Sequence, residues 1–232
     1  MTFMRRTCFA LLALALALSP AVWARSRATY PGWAGELALR SAGCQAVSAR
    51  LSGWAALPAC ADASAAAAVA EQVARALGIA VKPAVSAESV FLTGVRPGAA
   101  ATIQVQPSGG QWLMAAELTC AGGAADWYRR LNAALDVVGY RGRTHVAVLG
   151  VKPGRLAGRE ETLTVSTICY SLLGQLATAV SDGRDGVVVS GSAGLIPRQA
   201  GSRDPGGSFA LSLHYDEGEQ TTVISIAIPG LR

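Results

Sequence analysis

Apolar and polar residues alternate along the last stretch of the chain, FALSLHYDEGEQTTVISIAIPG (209–230). A period of two is typical of a strand with one buried face, so the stretch predicts two strands joined by a turn. We expect Gly218 to supply the positive φ of that turn, and Pro229 to end the second strand because it cannot donate to a ladder. His214 falls on the solvent-facing side. The residues that share the buried face are Phe209, Leu211, Leu213, Tyr215, Thr222, Ile224, Ile226 and Ile228.

Apolar residues recur at helical spacing in four other stretches. Two of them, 31–43 and 125–139, place a Trp and a Leu four residues apart and end in Gly. The stretch 62–78 has Asp62 as its expected N-cap and Gly78 as its expected stop. The fourth helix begins with TLTVST, whose β-branched residues also suit a strand. Its apolar stripe consists of Val165, Ile168, Leu172, Leu176 and Val180.

Two segments share a pattern at a distance of 97 residues. SVFLTGV (89–95) and GVVVSGS (186–192) each contain an apolar triplet, then Thr or Ser, then Gly. The helices that begin around Trp33 and Trp127 recur at a similar offset, and a hairpin at 102–118 matches the C-terminal hairpin. We infer that the chain contains an internal duplication.

The predicted elements fall into two similar halves, each with a helix, a strand, a helix and three strands. The strand between the helices is predicted at 45–54 in the first half and at 143–151 in the second. Because strands joined by short turns are antiparallel, the predicted fold is α+β, with a mostly antiparallel sheet and helices packed on it. We place the first repeat at 25–122 and the second at 123–232, and expect them to form one compact unit.

The first 24 residues have the three parts of a secretory signal peptide. Arg5 and Arg6 precede an apolar core, and Val22 and Ala24 stand at the −3 and −1 positions of a cleavage site. We therefore expect an exported protein, secreted or associated with the cell surface after cleavage near Ala24. An uncleaved segment that stays as a membrane anchor is the alternative.

The charge balance is mild. The formal net charge is +5, and it falls to +3 without the signal segment, because 18 basic and 15 acidic residues then remain. A chain of this charge that is also exported has little affinity for, and little contact with, nucleic acid. We therefore expect no nucleic-acid partner.

Four cysteines follow the signal segment, and export permits disulfides. Four cysteines allow three pairings. We favour Cys44 with Cys60, which would close a loop of 15 intervening residues and contribute about 3 kcal/mol in the chain-entropy model. Cys169 fits a free core thiol at least as well as a disulfide.

The sequence contains none of the common catalytic, cofactor or metal motifs. SGSAG (190–194) lacks the first Gly of a nucleophile elbow, and Lys82 and Lys152 have no Ser three positions before them. No CxxC, Walker or dinucleotide-binding pattern occurs. We therefore predict no catalytic residue, no cofactor and no metal.

The rival interpretation is an envelope hydrolase whose site is assembled from residues without a motif. His145, Glu160 and Asp185 are the candidates for such a site. Each also has a structural explanation: His145 alternates with valines as a strand residue does, Glu160 suits the start of a helix, and Asp185 suits a turn.

Basic residues are concentrated between positions 129 and 159, where seven of them accompany one acid. If they converge, they form a patch for anionic wall polymer or lipid headgroups. If they do not, they are a solvated helix face and loop. The candidates are Arg129, Arg130, Arg141, Arg143, Arg155 and Arg159.

The order of elements, the signal segment and the run VVVSGSAGLIP…FALSLHYDEGEQTTVISIAIPG resemble the YwmB family, exported proteins found mostly in spore-forming Gram-positive bacteria. The matching motifs lie mainly between Val187 and Pro229. The resemblance implies a fold similar to that of the TATA-box-binding protein, itself a duplicated α+β unit. The family has no established activity, so the resemblance implies no catalytic residues.

These observations predict an exported, non-enzymatic α+β protein that binds a protein or an anionic polymer of the cell envelope. A structural or assembly factor linked to sporulation is a further alternative, which the family's distribution suggests.

Overall fold

The computed structural model describes residues 31–57, 60–86, 88–139, 144–172, 174–181, 186–196 and 207–231. Within these ranges the chain forms four helices and ten strands. The helices are α1 (Pro31–Ser41), α2 (Ala63–Leu77), α3 (Ala124–Asp136) and α4 (Arg159–Ser171). The strands are β1 (Gln45–Leu57), β2 (Val81–Val85), β3 (Val90–Arg96), β4 (Ala99–Ser108), β5 (Gln111–Cys120), β6 (Thr144–Pro153), β7 (Gly174–Ser181), β8 (Gly186–Ala193), β9 (Gly207–Asp216) and β10 (Thr221–Leu231). The predicted signal segment lies outside the described residues, as do Arg141, Arg143 and Asp185.

The ten strands form one antiparallel sheet in the order β2-β3-β4-β5-β1-β6-β10-β9-β8-β7. β1 and β6 pair at its centre, where Leu51 lies opposite Val146. From this pair outward, one side continues through β5, β4, β3 and β2, and the other through β10, β9, β8 and β7. The prediction of an α+β fold with a mostly antiparallel sheet and helices packed on it is confirmed.

The helix ends follow the sequence signals at α2. The Asp62 carboxylate accepts a hydrogen bond from the Ala65 N–H at 2.8 Å, which satisfies one of the unpaired donors of the first turn. Gly78 ends the helix with φ of +68°, a left-handed conformation that glycine adopts without strain. Among the described residues, no helix is long and apolar enough to cross a membrane.

All four helices pack on one side of the sheet, and the core lies between the two layers. Small residues allow the close approach. A Cβ added to Gly35 of α1 would lie 2.8 Å from Cγ2 of Val148, and one added to Gly53 of β1 would lie 2.6 Å from Cδ1 of Leu135. The alanine-rich helices therefore sit directly on the strands, with no space for larger side chains at these points.

The first helix of each half lies over strands of the other half. α1 packs against β6, β10 and α4 as well as β1. α3 packs against β1, β5 and α2 as well as β6. The two halves are therefore joined by their helices in addition to the β1–β6 ladder.

The predicted number of strands is wrong, because four strands rather than three follow the second helix of each half. In the first half the extra strand is β2. In the second half the predicted helix through Val180 ends at Ser171, and β7 begins at Gly174. A Cβ at Gly174 would lie 3.3 Å from the Cys169 carbonyl oxygen and from Phe209 Cε1, so β7 begins at a tightly packed point where a larger residue would have to displace its neighbours.

Two details of the C-terminal hairpin also differ from the prediction. The left-handed residue of the turn is Gln220, with φ of +53°, rather than Gly218. The Asp216 carboxylate accepts hydrogen bonds from the N–H groups of Gly218 and Glu219, and this Asx-type turn needs no left-handed glycine. β10 also continues past Pro229 to Leu231, because the ladder with β6 shifts register after Ile228 and requires no proline donor there.

Candidate functional site

The sheet face opposite the helices, here called the open face, is the candidate site. Buried and accessible residues alternate along its strands; in β1, Ala49, Leu51 and Ala55 are buried, whereas Arg50 and Trp54 are exposed. Antiparallel sheets commonly bury one face and hydrate the other. The open face comprises the accessible alternate positions, which include Phe91, Thr93, Thr102, Gln104, Ala115, Glu117, Arg50, Ser52, Trp54, His145, Ala147, Ala227 and Ala210.

Strand register aligns open-face side chains into rows across the sheet. Phe91 lies opposite Gln104, Gln104 opposite Ala115, and Ala115 opposite Trp54. Two of the large exposed apolar side chains therefore share one row, with 43% of Phe91 and 48% of Trp54 exposed. Aromatic residues are enriched in binding surfaces, so two accessible rings in one row make this face a candidate for one.

A shallow basin of about 290 Å³ opens at the centre of this face. Its floor contains Ala147, Ala210 and Ala227, which face one another across β6, β9 and β10. Arg50, Ser52 and His145 also line it. The basin is near the lower size limit of small-ligand sites, and it combines an apolar floor with polar walls.

Two side-chain pairs fix the geometry beside the basin. The Trp54 and His145 rings meet edge to face, with centroids 5.0 Å apart and an interplanar angle of 87°. Arg50 Nε forms an ion pair with Glu117 Oε1. Because both partners are accessible, this pair contributes at most about 1 kcal/mol to stability, and its main effect is to orient the two side chains.

Of the rival hydrolase site, the two residues that the structure describes, His145 and Glu160, are not brought together. His145 belongs to the open face, whereas Glu160 lies in the first turn of α4 on the helix side, with its Oε1 3.9 Å from Lys152 Nζ. The Lys152 ammonium donates to Thr164 Oγ1 at 3.2 Å on that same side. The sheet separates His145 from Glu160, and Asp185 lies outside the described residues.

The four described arginines of the predicted anionic-polymer patch belong to two helices and a loop on the helix side. Arg129 and Arg130 lie on α3, where Arg129 pairs with Asp126 and the Arg130 guanidinium lies 5.5 Å from the Trp127 ring centroid. Arg155 lies in the loop after β6 with its guanidinium 5.5 Å from the Tyr215 ring, and Arg159 begins α4. The anionic-polymer patch stays a prediction. Three of its described members, Arg129, Arg130 and Arg155, contact neighbouring side chains.

The predicted Cys44–Cys60 disulfide is wrong for this structure. Both thiols are free, and so are those of Cys120 and Cys169. Cys44 and Cys60 flank the 13 residues of β1, and an extended strand of that length holds its ends about 40 Å apart. A disulfide requires Cα atoms within about 7 Å. The buried Cys169 thiol agrees with the expectation of a free core cysteine.

Burial controls the chemistry of these thiols. Desolvation raises the pKa of Cys44, Cys60 and Cys169. Burial, and then the nearby Glu36 charge, raise the pKa of Cys120 to about 11, against a smaller opposing effect of a backbone hydrogen bond with Ala49. Raised thiol pKa values disfavour the nucleophilic thiolate, and the three buried cysteines, Cys44, Cys120 and Cys169, pack in the core.

Among the described residues there is also no group of three or more His, Cys, Asp or Glu side chains placed to hold a metal ion. The charged side chains that remain on the open face are therefore suited to hydrogen bonding and charge pairing.

The chain matches no family model and no curated protein. One solved structure that aligns with it is the ligand-free regulatory subunit of aspartate kinase from Thermus thermophilus, at 15% identity over 80% of this chain and 84% of that chain, with a TM-score of 0.23. A similarity of this size carries no functional argument, so the function must be argued from the open face.

The sequence did not single out Arg50, Trp54 or Phe91 as site residues. For Arg50 and Trp54 the signal is the alternation in SARLSGWAAL (48–57), which places them on one face of a strand with Ser52 between them. That alternation predicts a strand. It becomes a site signal only once the strand order places these positions in the middle of the sheet, on the face against which none of the described helices packs.

Proposed function

We propose that the chain is an exported, non-enzymatic YwmB-like protein that binds a component of the cell envelope through its open face. The observation that carries this proposal is the exposure of Trp54 and Phe91 in one row beside a basin, on the face that the helices leave uncovered. The signal-peptide pattern of residues 1–24 supports the location.

The proposal includes a duplicated, TATA-box-binding-protein-like fold. Both halves run helix, strand, helix and four strands, and their strands follow the same order outward from the centre of the sheet. The related segments 89–95 and 186–192 fall in β3 and β8, which occupy matching places. This order supports one module copied once.

A binding role also fits the use of the polar side chains. Asp62 caps α2, Lys152 donates to Thr164, and Arg50 pairs with Glu117. Groups committed to capping and pairing hold the fold and shape the surface, whereas a general acid or base needs a substrate within hydrogen-bond reach.

The test is retention on envelope material. Purified chain is incubated with a washed Gram-positive envelope preparation, and the bound fraction is measured for the unchanged chain, Trp54→Ala and Tyr170→Ala. Tyr170 is the matched control because it is an aromatic residue, 82% exposed, on α4 at the other side of the sheet. We expect saturable retention that Trp54→Ala weakens and Tyr170→Ala does not. Absence of retention, or equal retention of all three, would overturn the proposal.

A further inference from the structure

We propose that the ligand of the open face is an uncharged glycan strand, which lies across the strands along the row of Phe91, Gln104, Ala115 and Trp54, here called the aromatic row. This inference rests on the proposed function and names the chemistry of its partner. The aromatic row crosses β3, β4, β5 and β1, so its two rings stand about 14 Å apart at the usual strand spacing.

The space between the two rings is shaped for a ligand to lie on. Gln104 and Ala115 separate the two rings. Because the Ala115 side chain is small, the surface of the sheet is depressed next to Trp54. The Trp54 ring is braced by the edge-to-face contact with His145, which limits its rotation. A rigid ring loses little conformational entropy on binding.

The neighbouring row supplies hydrogen-bonding groups. Two residues further along each strand, the open-face side chains form a second row. In this polar row each residue lies opposite the next: Thr93, Thr102, Glu117, Ser52 and His145. This polar row runs parallel to the aromatic row, about 7 Å away. Its hydroxyl groups both donate and accept, and the Glu117 carboxylate accepts.

The combination matches the two-sided chemistry of a sugar ring. A pyranose presents C–H groups on its faces, which stack on an aromatic ring, and hydroxyl groups on its rim, which require donors and acceptors. An exclusively apolar ligand would leave the polar row without partners, and unsatisfied polar groups reduce affinity. Aromatic-lined grooves also take proline-rich peptides, but proline has no N–H group to donate to the Glu117 carboxylate, whereas sugar hydroxyls both donate and accept.

The charges beside the aromatic row and the polar row favour an uncharged glycan. Glu117 of the polar row forms an ion pair with Arg50, which lies on the far side of that row from the aromatic row. Lys82, on the edge strand β2, lies opposite Thr93 and ends the polar row. A surface that binds polyanions presents many uncompensated cations, as the salt dependence of such binding demonstrates. Among the residues in and beside these rows that the structure describes, the charges of Glu117, Arg50 and Lys82 nearly balance, which favours a neutral polymer.

The experiment is calorimetric titration of the purified full chain with β-1,4-linked N-acetylglucosamine oligomers of two and of six units. We expect the hexamer to bind more tightly than the dimer, which cannot contact both rings. Trp54→Ala and Phe91→Ala should each weaken hexamer binding about tenfold, the usual loss of one aromatic contact, and Tyr170→Ala should leave it unchanged. Circular dichroism of each variant checks that it is folded.

Competing ligands and ionic strength complete the test. Glycan affinity should be the same at low and high salt, because no charge is neutralised. No glycan binding, binding that neither substitution weakens, or a preference for polyglycerol phosphate or a proline-rich peptide would overturn the inference. If glycan binding fails while envelope retention still depends on Trp54, only the ligand assignment falls; if envelope retention also fails, the proposed function falls.

Discussion

Glu36 caps a helix of the other half of the chain. It lies on α1, and its Oε1 accepts a hydrogen bond of 2.8 Å from the N–H of Ala124, the first residue of α3. The N-cap residue of α3 is Gly123, which has no side chain to do this. We therefore predict that Glu36→Ala destabilises the protein although Glu36 is outside the core.

The magnitude follows from the two effects that the carboxylate combines. Loss of a capping side chain costs typically about 1 kcal/mol, and loss of a negative charge at a helix N-terminus costs about 0.3–1 kcal/mol. The free energy of unfolding should therefore fall by about 1–2 kcal/mol in Glu36→Ala. Glu36→Gln keeps an acceptor but loses the charge, so it should lose less than about 1 kcal/mol.

Urea unfolding followed by circular dichroism measures these differences. At a slope of about 2 kcal/mol/M, Glu36→Ala shifts the midpoint down by about 0.5–1 M. Glu219→Ala, an exposed glutamate in the β9–β10 turn, is the control and should not shift it. A midpoint equal to that of the unchanged chain, or equal shifts for the Ala and Gln variants, would show that the carboxylate is not a cap.

Four further measurements test the fold and its thiols. Gly53→Ala should destabilise by about 1–3 kcal/mol, because its Cβ would stand 2.6 Å from Leu135; a thermal melt checks this, and an unchanged midpoint contradicts it. Asp62→Ala should lose about 1 kcal/mol in urea, and a loss no larger than the error would remove its capping role. The Cys120 thiol has a pKa of about 11 in the folded protein and of about 9 in the unfolded chain. The stability that this difference contributes is therefore complete below pH 9 and is lost as the pH rises to 11. Cys120→Ala should reduce the slope of unfolding free energy against pH in this window by at most about 1.4 kcal/mol per pH unit, and an unchanged slope contradicts this. Alkylation of unreduced, unfolded chain followed by mass spectrometry should modify both Cys44 and Cys60, and an intramolecular cross-link between them would contradict the extended β1.

Much of the fold could be predicted because local signals agree with it. The cap at Asp62, the stop at Gly78 and the period-two stretches at 102–118 and 209–230 each correspond to observed elements. These signals act within a few residues of the chain. Local chemistry was therefore sufficient to place most helices and strands and to give the fold class.

The sequence did not predict the junction of α4 and β7, and the reason is physical. Ile168, Leu172, Leu176 and Val180 are spaced by four, which fits one face of a helix and also one face of a strand, because four is a multiple of two. Only tertiary packing decides between the periods there. The helix ends at Ser171 and a strand follows, which fills the edge of the sheet beside β8.

The candidate site could not be predicted for a related reason. The alternation around Trp54 indicates a strand with one apolar and one polar face. It does not indicate whether a second layer of structure covers the polar face. Register across strands distant in sequence aligns Phe91 with Trp54, and such alignment depends on the strand order of the whole sheet. The arginines of the predicted patch were more conspicuous in sequence than either aromatic residue, although the four of them that the structure describes lie on the helix side.

The exchange of helices between the halves has a consequence for how the chain can be cut. A fragment that stops at residue 122 would retain β1 and β5 but lose α3, which shields them, and the remaining fragment would lose α1 from above β6 and β10. Neither piece alone would be soluble and ordered, yet mixed together they should reassemble. Each half therefore depends on the first helix of the other half to cover its central strands.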